Sequence, residues 1–472
     1  MKKHNLKIYN TLTKKKDLIT PLKGNKINLF VCGPTVYDFS HIGHARTCVV
    51  FDCFAKYLKY LGFNVFYLQN ITDIDDKIIQ RAREKGVSAK DLATAFEKEY
   101  LKDMKALGVT SIAKYARATN YIKEIISQVK RLQEKGFAYT LADGIYFDIS
   151  KFKNYGKLSG RTILQAEDGI SRIDHSNNKK NRGDFCLWKF AESKDAWEPK
   201  WPSPFGAGRP GWHIEDTAIT EKFFGAQYDI HGGGQDLLFP HHEAEVTQME
   251  AVSDKNPLVK YWMHTGFLTM QGQKMSKSVG NTTLISAFLK RYSKEELRFW
   301  IAKNLWHSPI DYSEGAMIEV KASLEKIEEL LRKLKTVKSK VKGSKATKAL
   351  LGKAKEDFYE SLADDFNTPK AFAVIFEFIK EINKLLDENL VGKKDADQMY
   401  KFFVEINTIF GIINFQKLKK SNVPNEVQEL LKTREAYRKA QDWQKADELR
   451  MEIEKYGFTV DDTAGGTILK KI

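Results

Sequence analysis

Hydrophobic and polar positions near the start of the chain alternate in a way that predicts a strand, a helix and a second strand. Residues 27–32 form a short apolar run that Gly33-Pro34 ends. Apolar residues then recur at helical spacing over residues 42–62, and residues 65–68 predict the next strand. This is the βαβ unit of a doubly wound sheet, whose ligands bind beyond the carboxyl ends of the strands. Cys32 is expected at that end.

The middle of the chain predicts an insertion and then a return to the sheet. Residues 118–204 mix helix and hairpin signals with a Lys/Asn-rich stretch. Beyond residue 205, the glycines of residues 206–211 predict a loop, residues 212–220 a helix, and residues 228–231 a strand that ends in three glycines. The insertion therefore separates two halves of one α/β sheet.

Long amphipathic helices replace this pattern after about residue 318 and continue to about residue 410. Residues 331–350 carry eight Lys or Arg and no acid, which is typical either of a solvated connector or of a strip that contacts RNA. Residues 423–472 predict one clear helix, over residues 433–455, and a Gly-rich tail. The C-terminal end thus reads as a small separate module.

Composition adds a class of partner and a compartment. A chain of 472 residues favours about three domains. The 77 Lys and Arg exceed the 61 Asp and Glu to give a formal charge of +16, which favours a nucleic-acid partner or simply a basic protein. No apolar run has the length of a secretory or membrane-spanning segment, so we expect a cytoplasmic protein that does not bind membranes. The four cysteines form no CxxC pair, and only Cys32 lies beside a turn.

The first chemical motif is the string CGPTVYDFSHIGH over residues 32–44, on the predicted turn from strand to helix. A helix N-terminus offers free amides and a positive dipole to phosphate. His41 and His44, beside Gly43, supply imidazoles that can hydrogen-bond phosphoryl oxygens. Elsewhere, such a short string would more often mark a buried histidine.

A second motif, KMSKS over residues 274–278, lies far downstream between two glycines. A flexible loop of this kind can bring the ammonium groups of Lys274 and Lys277 over nucleotide phosphates. Taken alone, five such residues would be read as an ordinary basic surface loop.

Together these strings resemble the HIGH and KMSKS signatures of class I aminoacyl-tRNA synthetases, and within that class the cysteinyl-tRNA synthetases. The resemblance extends to NITDIDDK at 70–77, GRPGWHIE at 208–215, DIHGGG at 229–234 and FPHHE at 239–243. It covers residues 29–313 and returns near residues 442–447. It implies an α/β fold with a Rossmann-type catalytic domain split by an insertion, then a helical bundle and a small C-terminal anticodon-binding module.

On this basis the chain divides into six regions. They are the first catalytic half (1–117), the connective insertion (118–204), the second catalytic half with the metal-site residues (205–260), a stem-contact region with the KMSKS loop (261–317), a tRNA-binding helical bundle (318–420) and the anticodon-binding module (421–472).

The resemblance also implies a zinc ion that binds the thiolate of the substrate cysteine and is held by two cysteines, a histidine and a glutamate. Serine and cysteine are near isosteres, which an ordinary pocket separates by only about 1–3 kcal/mol. Zinc prefers a thiolate to a neutral hydroxyl, so a metal supplies the missing selectivity. Carried onto this chain, three ligands are Cys32, His241 and Glu245, the last two at helical i,i+4 spacing.

The family's second cysteine falls at Asp216, and this is a departure. Aspartate is a zinc ligand that keeps the formal charge of the site, but a harder oxygen donor weakens affinity and metal choice. Three outcomes are open: a Cys-Asp-His-Glu zinc site, which we favour, a weakly held metal, or no metal. Ala244 stands where the family usually has Asn, and residues 305–307 read Leu-Trp-His for His-Tyr-Arg.

The implied reaction joins cysteine to ATP as cysteinyl-AMP, releasing pyrophosphate, and then transfers cysteine to the 3′-terminal adenosine of tRNA(Cys). His41 and His44 would serve the α-phosphate and Lys274 and Lys277 the others, with Mg²⁺ accompanying ATP. Gly43 also belongs to the implied ATP site. The implied cysteine pocket comprises Cys32, Gly33, Thr72, Trp212, Asp229 and His231.

Two alternatives belong to other functional classes. A cysteine ligase acting on a small amine would share both signatures and the zinc site but lack the full C-terminal part. A non-catalytic tRNA-binding paralogue would have lost His41, His44 or Lys277. We expect a monomer, and Trp443 in the last helix fits either a stacking surface for bases or a core position.

Overall fold

The computed structural model describes residues 5–162, 178–191, 197–275, 282–339, 345–418, 424–463 and 466–471. They belong to two compact units. One comprises Met1–Lys321, Glu356–Ala373 and Ile406–Ile412, and the other comprises Ala322–Lys355, Val374–Glu405 and Ile413–Ile472. No helix among the described residues combines the length and apolar character needed to cross a membrane.

The strands of the described residues are β1 (Lys7–Asn10), β2 (Lys15–Leu18), β3 (Lys26–Val31), β4 (Asn64–Ile71), β5 (Lys114–Arg117), β6 (Ala138–Leu141), β7 (Gly144–Phe147), β8 (Phe185–Phe190), β9 (Gly208–Pro210), β10 (Tyr228–Gly234), β11 (Val259–Thr265), β12 (Leu268–Met270), β13 (Gln273–Lys274), β14 (Ile310–Tyr312), β15 (Phe458–Thr463) and β16 (Gly466–Lys471). The α-helices are α1 (Ile42–Tyr60), α2 (Asp76–Lys85), α3 (Ala89–Ala106), α4 (Ile122–Glu134), α5 (Ile214–Phe224), α6 (Glu243–Ser253), α7 (Ile285–Arg291), α8 (Lys294–Ala302), α9 (Glu314–Thr336), α10 (Lys345–Ala363), α11 (Thr368–Asp387), α12 (Lys393–Phe410), α13 (Asn425–Lys439) and α14 (Trp443–Lys455).

The centre of the first unit is a five-stranded parallel sheet in the order β11-β10-β3-β4-β5. Most side chains of β3, β4 and β10 are buried, as expected for strands covered on both faces. The chain crosses from β3 through α1 to β4, and this confirms the predicted βαβ unit and the doubly wound sheet. Cys32 directly follows β3, at the carboxyl edge of the sheet.

The predicted insertion contributes three strands, β6, β7 and β8, to a four-stranded antiparallel sheet in the order β6-β7-β8-β9. Its last strand, β9, lies within the segment that was predicted as a loop. That prediction was wrong because pairing with β8 satisfies backbone groups that a run of glycines would otherwise expose. From the same predicted insertion, α4 packs against α5 and α6 and shares their hydrophobic core.

The basic run at residues 331–350 is mainly helical where it is described, since α9 continues to Thr336 and α10 begins at Lys345. Leu330, Leu331 and Leu334 are buried on one side of α9, while Arg332, Lys333 and Lys335 lie between and beyond them at more exposed positions. A connector over the whole run was therefore the wrong expectation. Residues 340–344 of the run lie outside the described residues.

The C-terminal module contains two helices where the sequence predicted one. α13 and α14 are separated at residues 440–442, where Gln441 adopts a positive φ of 61°. Val427, Ile453, Phe458 and Val460 form the core of the module. The periodicity continues across the break, so the pattern alone did not reveal it.

Candidate active site

The loop after β3 leads to the N-terminus of α1, which His41 and His44 cap reciprocally. Nδ1 of His41 accepts a hydrogen bond from the backbone N–H of Gly43 (3.1 Å), and Nδ1 of His44 accepts one from the N–H of His41 (3.3 Å). The two rings stack with their centroids 3.9 Å apart. A side chain at Gly43 would meet the His41 ring at 2.8 Å, so glycine is needed there.

These contacts assign the tautomers of both rings. Because each Nδ1 accepts a backbone N–H, the proton of each neutral imidazole is on Nε2. The N-terminus of a 19-residue helix adds the positive end of its dipole. The arrangement therefore offers two hydrogen-bond donors and a positive potential, which together suit a phosphate group.

A cavity of about 530 Å³ opens beside this helix end, at the carboxyl edge of the parallel sheet. Of the fourteen site residues predicted from sequence, nine line it: Cys32, Gly33, His41, Gly43, His44, Thr72, Trp212, Asp216 and His241. His231 and Asp229, predicted for the cysteine pocket, do not line it. Glu245 lies directly behind the sulfur of Cys32. Residues brought from β3, β4, α1 and α5 thus meet around one cavity.

At the floor of the cavity, four buried side chains converge. Cys32 Sγ lies 3.5 Å from Oδ2 of Asp216 and 3.8 Å from Oε1 of Glu245. Nε2 of His241 lies 3.0 Å from each of the same two carboxylate groups. Asp216 comes from the first turn of α5, and Glu245 from the first turn of α6.

The charge of this group calls for a cation. Burial, then the charges of Glu245 and Asp216, raise the pKa of the Cys32 thiol well above its usual value. Burial alone would lower the pKa of His241, but hydrogen bonds to Asp216 and Glu245 outweigh it and raise this pKa to about 10. Three acidic groups around one imidazole, away from water, are costly without further positive charge.

The spacing of the donors fits a tetrahedral metal site. Ligand atoms at bond lengths of about 2.0–2.3 Å from zinc lie about 3.3–3.7 Å from one another. The four donor atoms of Cys32, Asp216, His241 and Glu245 all lie within 4.8 Å of one another. The second oxygen of Asp216, Oδ1, is buried and has no hydrogen-bond partner among the described residues. A bound cation would satisfy this donor set.

Three histidines that the sequence did not single out, His213, His242 and His264, lie beside the donor group. Nε2 of His242 lies 3.1 Å from Sγ of Cys32, and its Nδ1 lies 2.8 Å from His264. Nδ1 of His213 lies 2.9 Å from Nδ1 of His241. The signal for His242 was present, since it adjoins His241, but one sequence cannot show that both rings face the same group.

His231 also lies behind Cys32, with Nε2 3.3 Å from the sulfur and Nδ1 2.7 Å from the hydroxyl of Tyr228. Cys32, His231, His242 and Glu245 form a second group whose donors lie close enough for a metal. Burial lowers the pKa of His231 well below its usual value. The ring is therefore neutral and available as a donor or acceptor.

Of the other predicted site residues, Gly33 and Thr72 lie in the cavity wall and Asp229 lies away from it. The hydroxyl of Thr72 donates to Glu215, and the N–H of Gly33 donates to Oδ1 of Asn70 at 2.5 Å. The carboxylate of Asp229 instead accepts the N–H groups of Leu22 and Asn28, near the start of β10. Asp229 thus lies at the opposite end of the strand from the cavity.

The KMSKS motif is described only in part. The backbone of Lys274 belongs to β13, and Met275 lines the cavity. The side chain of Lys274 and all of Lys277 lie outside the described residues. β13 therefore brings the start of the motif to the cavity, and the predicted phosphate contacts of both lysines stay predictions.

Family models match three successive parts of the chain. One described as the class I (C) catalytic domain of tRNA synthetases matches residues 18–322. A DALR domain model matches residues 357–416, and a model of the cysteinyl-tRNA ligase anticodon-binding domain matches residues 420–467.

Curated relatives match over the whole length. The cysteine–tRNA ligase of Thermococcus gammatolerans is 42% identical over 478 residues, covering 99% of both chains. That of Thermoplasma volcanium is 43% identical over 461 residues, covering 98% of this chain and 99% of the relative.

Among solved structures, a methionyl-tRNA synthetase of Mycobacterium tuberculosis has a TM-score of 0.61 at 16% identity, covering 82% of this chain and 90% of that one. A putative arginyl-tRNA synthetase of Campylobacter jejuni has a TM-score of 0.55 at 14% identity, covering 83% and 93%. These structures share the fold.

Proposed function

The chain belongs to the cysteine–tRNA ligases of the class I aminoacyl-tRNA synthetases, and from this premise we propose how its residues share the reaction. Its activity is the ATP-dependent ligation of cysteine to tRNA, as the resemblance implied. The anticodon-binding match over residues 420–467 favours this activity over a small-amine ligase. His41 and His44 at the cavity count against a non-catalytic paralogue.

In the first step, a carboxylate oxygen of cysteine forms a bond to the α-phosphorus of ATP while the bond to the bridging oxygen of pyrophosphate breaks. The Nε2–H groups of His41 and His44 donate to the oxygens of the α-phosphate, on which charge accumulates. Gly43 lets the phosphate approach the end of α1 closely. Lys274 and Lys277 neutralise the β- and γ-phosphates together with Mg²⁺. No covalent enzyme intermediate is needed.

Cys32, Asp216, His241 and Glu245 hold one zinc ion per chain. When bound, zinc coordinates a thiolate in preference to a neutral hydroxyl and lowers the pKa of the thiol. The observation that carries this proposal is the buried donor group at the cavity floor, whose spacing suits a tetrahedral ion. Asp216 keeps the negative charge that the family's cysteine thiolate supplies, but its carboxylate oxygen is a harder donor than sulfur.

The remaining pocket residues orient the substrate cysteine. Trp212 packs its ring against His241, with centroids 4.6 Å apart, and forms a wall beside the donor group. Gly33 and Thr72 also line the cavity, and His231 contacts the sulfur of Cys32. Asp229 acts at a distance, because its carboxylate anchors the start of β10 to Leu22 and to Asn28 of β3.

In the second step, a terminal ribose hydroxyl of tRNA(Cys) attacks the carbonyl of cysteinyl-AMP and AMP leaves. The helices after residue 318 and the C-terminal module bind the tRNA body and anticodon, with Trp443 as an exposed aromatic surface. The enzyme acts as a cytoplasmic monomer.

The decisive experiment is charging of unfractionated tRNA by the purified chain with labelled cysteine, and with labelled serine in parallel. Cysteine on tRNA with serine excluded is the expected result, together with one zinc per chain by elemental analysis. Serine charged at a comparable rate would contradict metal-based selection, and adenylate formed without charged tRNA would point to the small-amine ligase.

A further inference from the structure

Arg46 lies two residues after His44 in α1, and its side chain is buried with 2% of its surface exposed. Among the described residues no carboxylate pairs with its guanidinium, which donates its hydrogen bonds to backbone carbonyls. Burial lowers its pKa to about 10, so the group remains charged at neutral pH. An unpaired buried charge is costly, and its retention calls for a reason.

The acceptors belong to two segments that are distant in sequence. One guanidinium nitrogen, Nη1, donates to the carbonyls of Gly266 (2.7 Å) and Phe267 (2.6 Å), between β11 and β12. The other, Nη2, donates to the carbonyl of Ser308 and, at 3.4 Å each, to those of Leu305 and Trp306, before β14. Because the acceptors are backbone atoms, the unusual side chains at residues 305–307 leave these bonds unchanged.

The two segments meet each other as closely as they meet Arg46. The N–H of Gly266 donates to the carbonyl of Trp306 at 3.1 Å. A Cβ at Gly266 would lie 2.4 Å from the carbonyl oxygen of Ser308, so no other residue fits. Arg46 therefore closes a joint between α1, the start of β12 and the turn before β14.

This joint adjoins the cavity. Gly43, His44 and Thr47 line it from α1, and Gly266, Phe267 and Leu268 line it from the opposite segment. Both walls are held by the single guanidinium. We propose that Arg46 is a positioning residue for adenylation, which fixes the segment at residues 266–268 against the turn of α1 that carries His44. The proposal rests on the role proposed above for His44.

Arg298 provides a matched control. It is also a buried arginine, 1% exposed, and it also holds α1, through Asp52. Its other partners include the carbonyl of Phe410 at 2.6 Å. None of these three described residues lines the cavity. R46K and R298K therefore both replace a buried guanidinium that contacts α1, from within the helix or from α8, but only R46K changes the contacts of the cavity walls.

The test is cysteine-dependent exchange of pyrophosphate into ATP by the full-length variants R46K, R298K and H44N. Each rate is divided by the concentration of folded protein, and the folded fraction is measured by circular dichroism at the assay temperature. We expect R46K to lower kcat by about 10- to 100-fold while KM for ATP changes by less than about threefold. R298K should keep kcat within about threefold of the wild type, even if its melting temperature falls as much as that of R46K.

Retention of exchange in R46K, or an equal loss in R46K and R298K, would overturn the positioning role. Loss of pyrophosphate exchange in H44N but not in R46K would refute the role of Arg46 and leave that of His44. Retention of exchange in H44N would refute the role of His44 and, with it, the link to Arg46. If R46K does not fold, G266A tests the same joint, because its Cβ forces Gly266 away from Ser308. G266A is expected to lower kcat in the same range, and wild-type exchange would reject the proposal.

Discussion

Oδ2 of Asp216 lies 3.5 Å from Sγ of Cys32, so an oxygen donor occupies the place where the family resemblance puts a second thiolate. The same oxygen lies 3.0 Å from Nε2 of His241. The four-donor arrangement is therefore kept, but one soft sulfur donor is replaced by a harder oxygen donor. The affinity of the proposed zinc site therefore depends on how well a carboxylate replaces a thiolate.

Replacing Asp216 by cysteine is expected to tighten zinc binding. D216C restores a soft donor, and we expect the dissociation constant to fall at least about tenfold, since even changes outside the ligand set alter affinity 10- to 100-fold. D216N removes the charge and should weaken binding by a similar factor. Chelator competition on the full-length protein measures both.

The control for this series is E243Q. Glu243 is buried in the same region, but its carboxylate accepts the N–H groups of Gly156 and Ser159 rather than joining the donor group. E243Q should leave the zinc affinity within about threefold of the wild type. Equal affinities of D216C, D216N and the wild type would show that residue 216 is not a ligand.

His44 has a capping role and a donor role that two substitutions separate. In H44N the side-chain oxygen takes the place of Nδ1 and keeps the cap, but the Nε2 donor is lost. We expect an unchanged melting temperature and a loss of pyrophosphate exchange of about 100-fold. In H44A the cap and the donor are both lost, so stability should fall by about 1 kcal/mol in addition to the loss of rate.

Calorimetry and exchange assays on the two variants give the pattern. A loss of stability in H44N as large as that in H44A, or wild-type exchange in H44N, would leave His44 as a helix cap only. The wild-type protein and H41N, which keeps the acceptor toward Gly43 in the same way, serve as references.

The sequence predicted the central sheet because its signals are local. The strand before Cys32, the glycine-proline break and the helical period of α1 are each contained within a few residues, and the chirality of βαβ units supplies the rest. The clustering of Cys32, Asp216 and His241 followed from the family resemblance. Spacing alone cannot bring together residues more than 180 positions apart, such as Cys32 and Asp216.

Features set by tertiary contacts were not predicted. β9 owes its form to pairing with β8, and the break between α13 and α14 depends on one left-handed residue, Gln441. Arg434, in α13, is another example. Its side chain is 2% exposed and makes a bidentate pair with Asp462 (2.9 and 2.7 Å), which a single sequence cannot reveal.

Asp103 in α3 is expected to make stability depend on pH. Burial, then the charge of Glu99, raise its pKa from 3.8 to about 6. The folded state therefore holds this proton more tightly, and the stabilisation is present below about pH 4 and lost as the pH rises through 6. D103N removes the charge and should stabilise the protein by about 1 kcal/mol at pH 7.5, after discounting for solvent screening, and by nothing at pH 4.

Thermal unfolding of D103N and the wild type at both pH values measures this difference. E99Q removes a negative charge from a more exposed position on α3 and should therefore raise the stability at pH 7.5 by less than D103N does. A gain in D103N that persists at pH 4 would mean that the substitution acts through packing or helix propensity rather than through the proton.

Trp443 begins α14 with 56% of its surface exposed, which decides between the two interpretations of this residue from sequence. It is not a core side chain, and the guanidinium of Arg438 lies 5.7 Å from the centre of its ring. Stacking of a base on an aromatic ring contributes about 1–3 kcal/mol. W443A should therefore raise KM for tRNA by about 5- to 100-fold while cysteine-dependent pyrophosphate exchange and the melting temperature stay unchanged.

Met451 provides the matched control for Trp443, because it lies on the same helix with 58% exposure but has no aromatic face. M451A should change KM for tRNA by less than about twofold. An equal rise in both variants would indicate a general contact surface, since only stacking distinguishes a tryptophan from a methionine of the same exposure. A lower melting temperature of W443A with an unchanged KM would instead assign the ring to the stability of the module, because a stacking platform contributes nothing in the absence of tRNA.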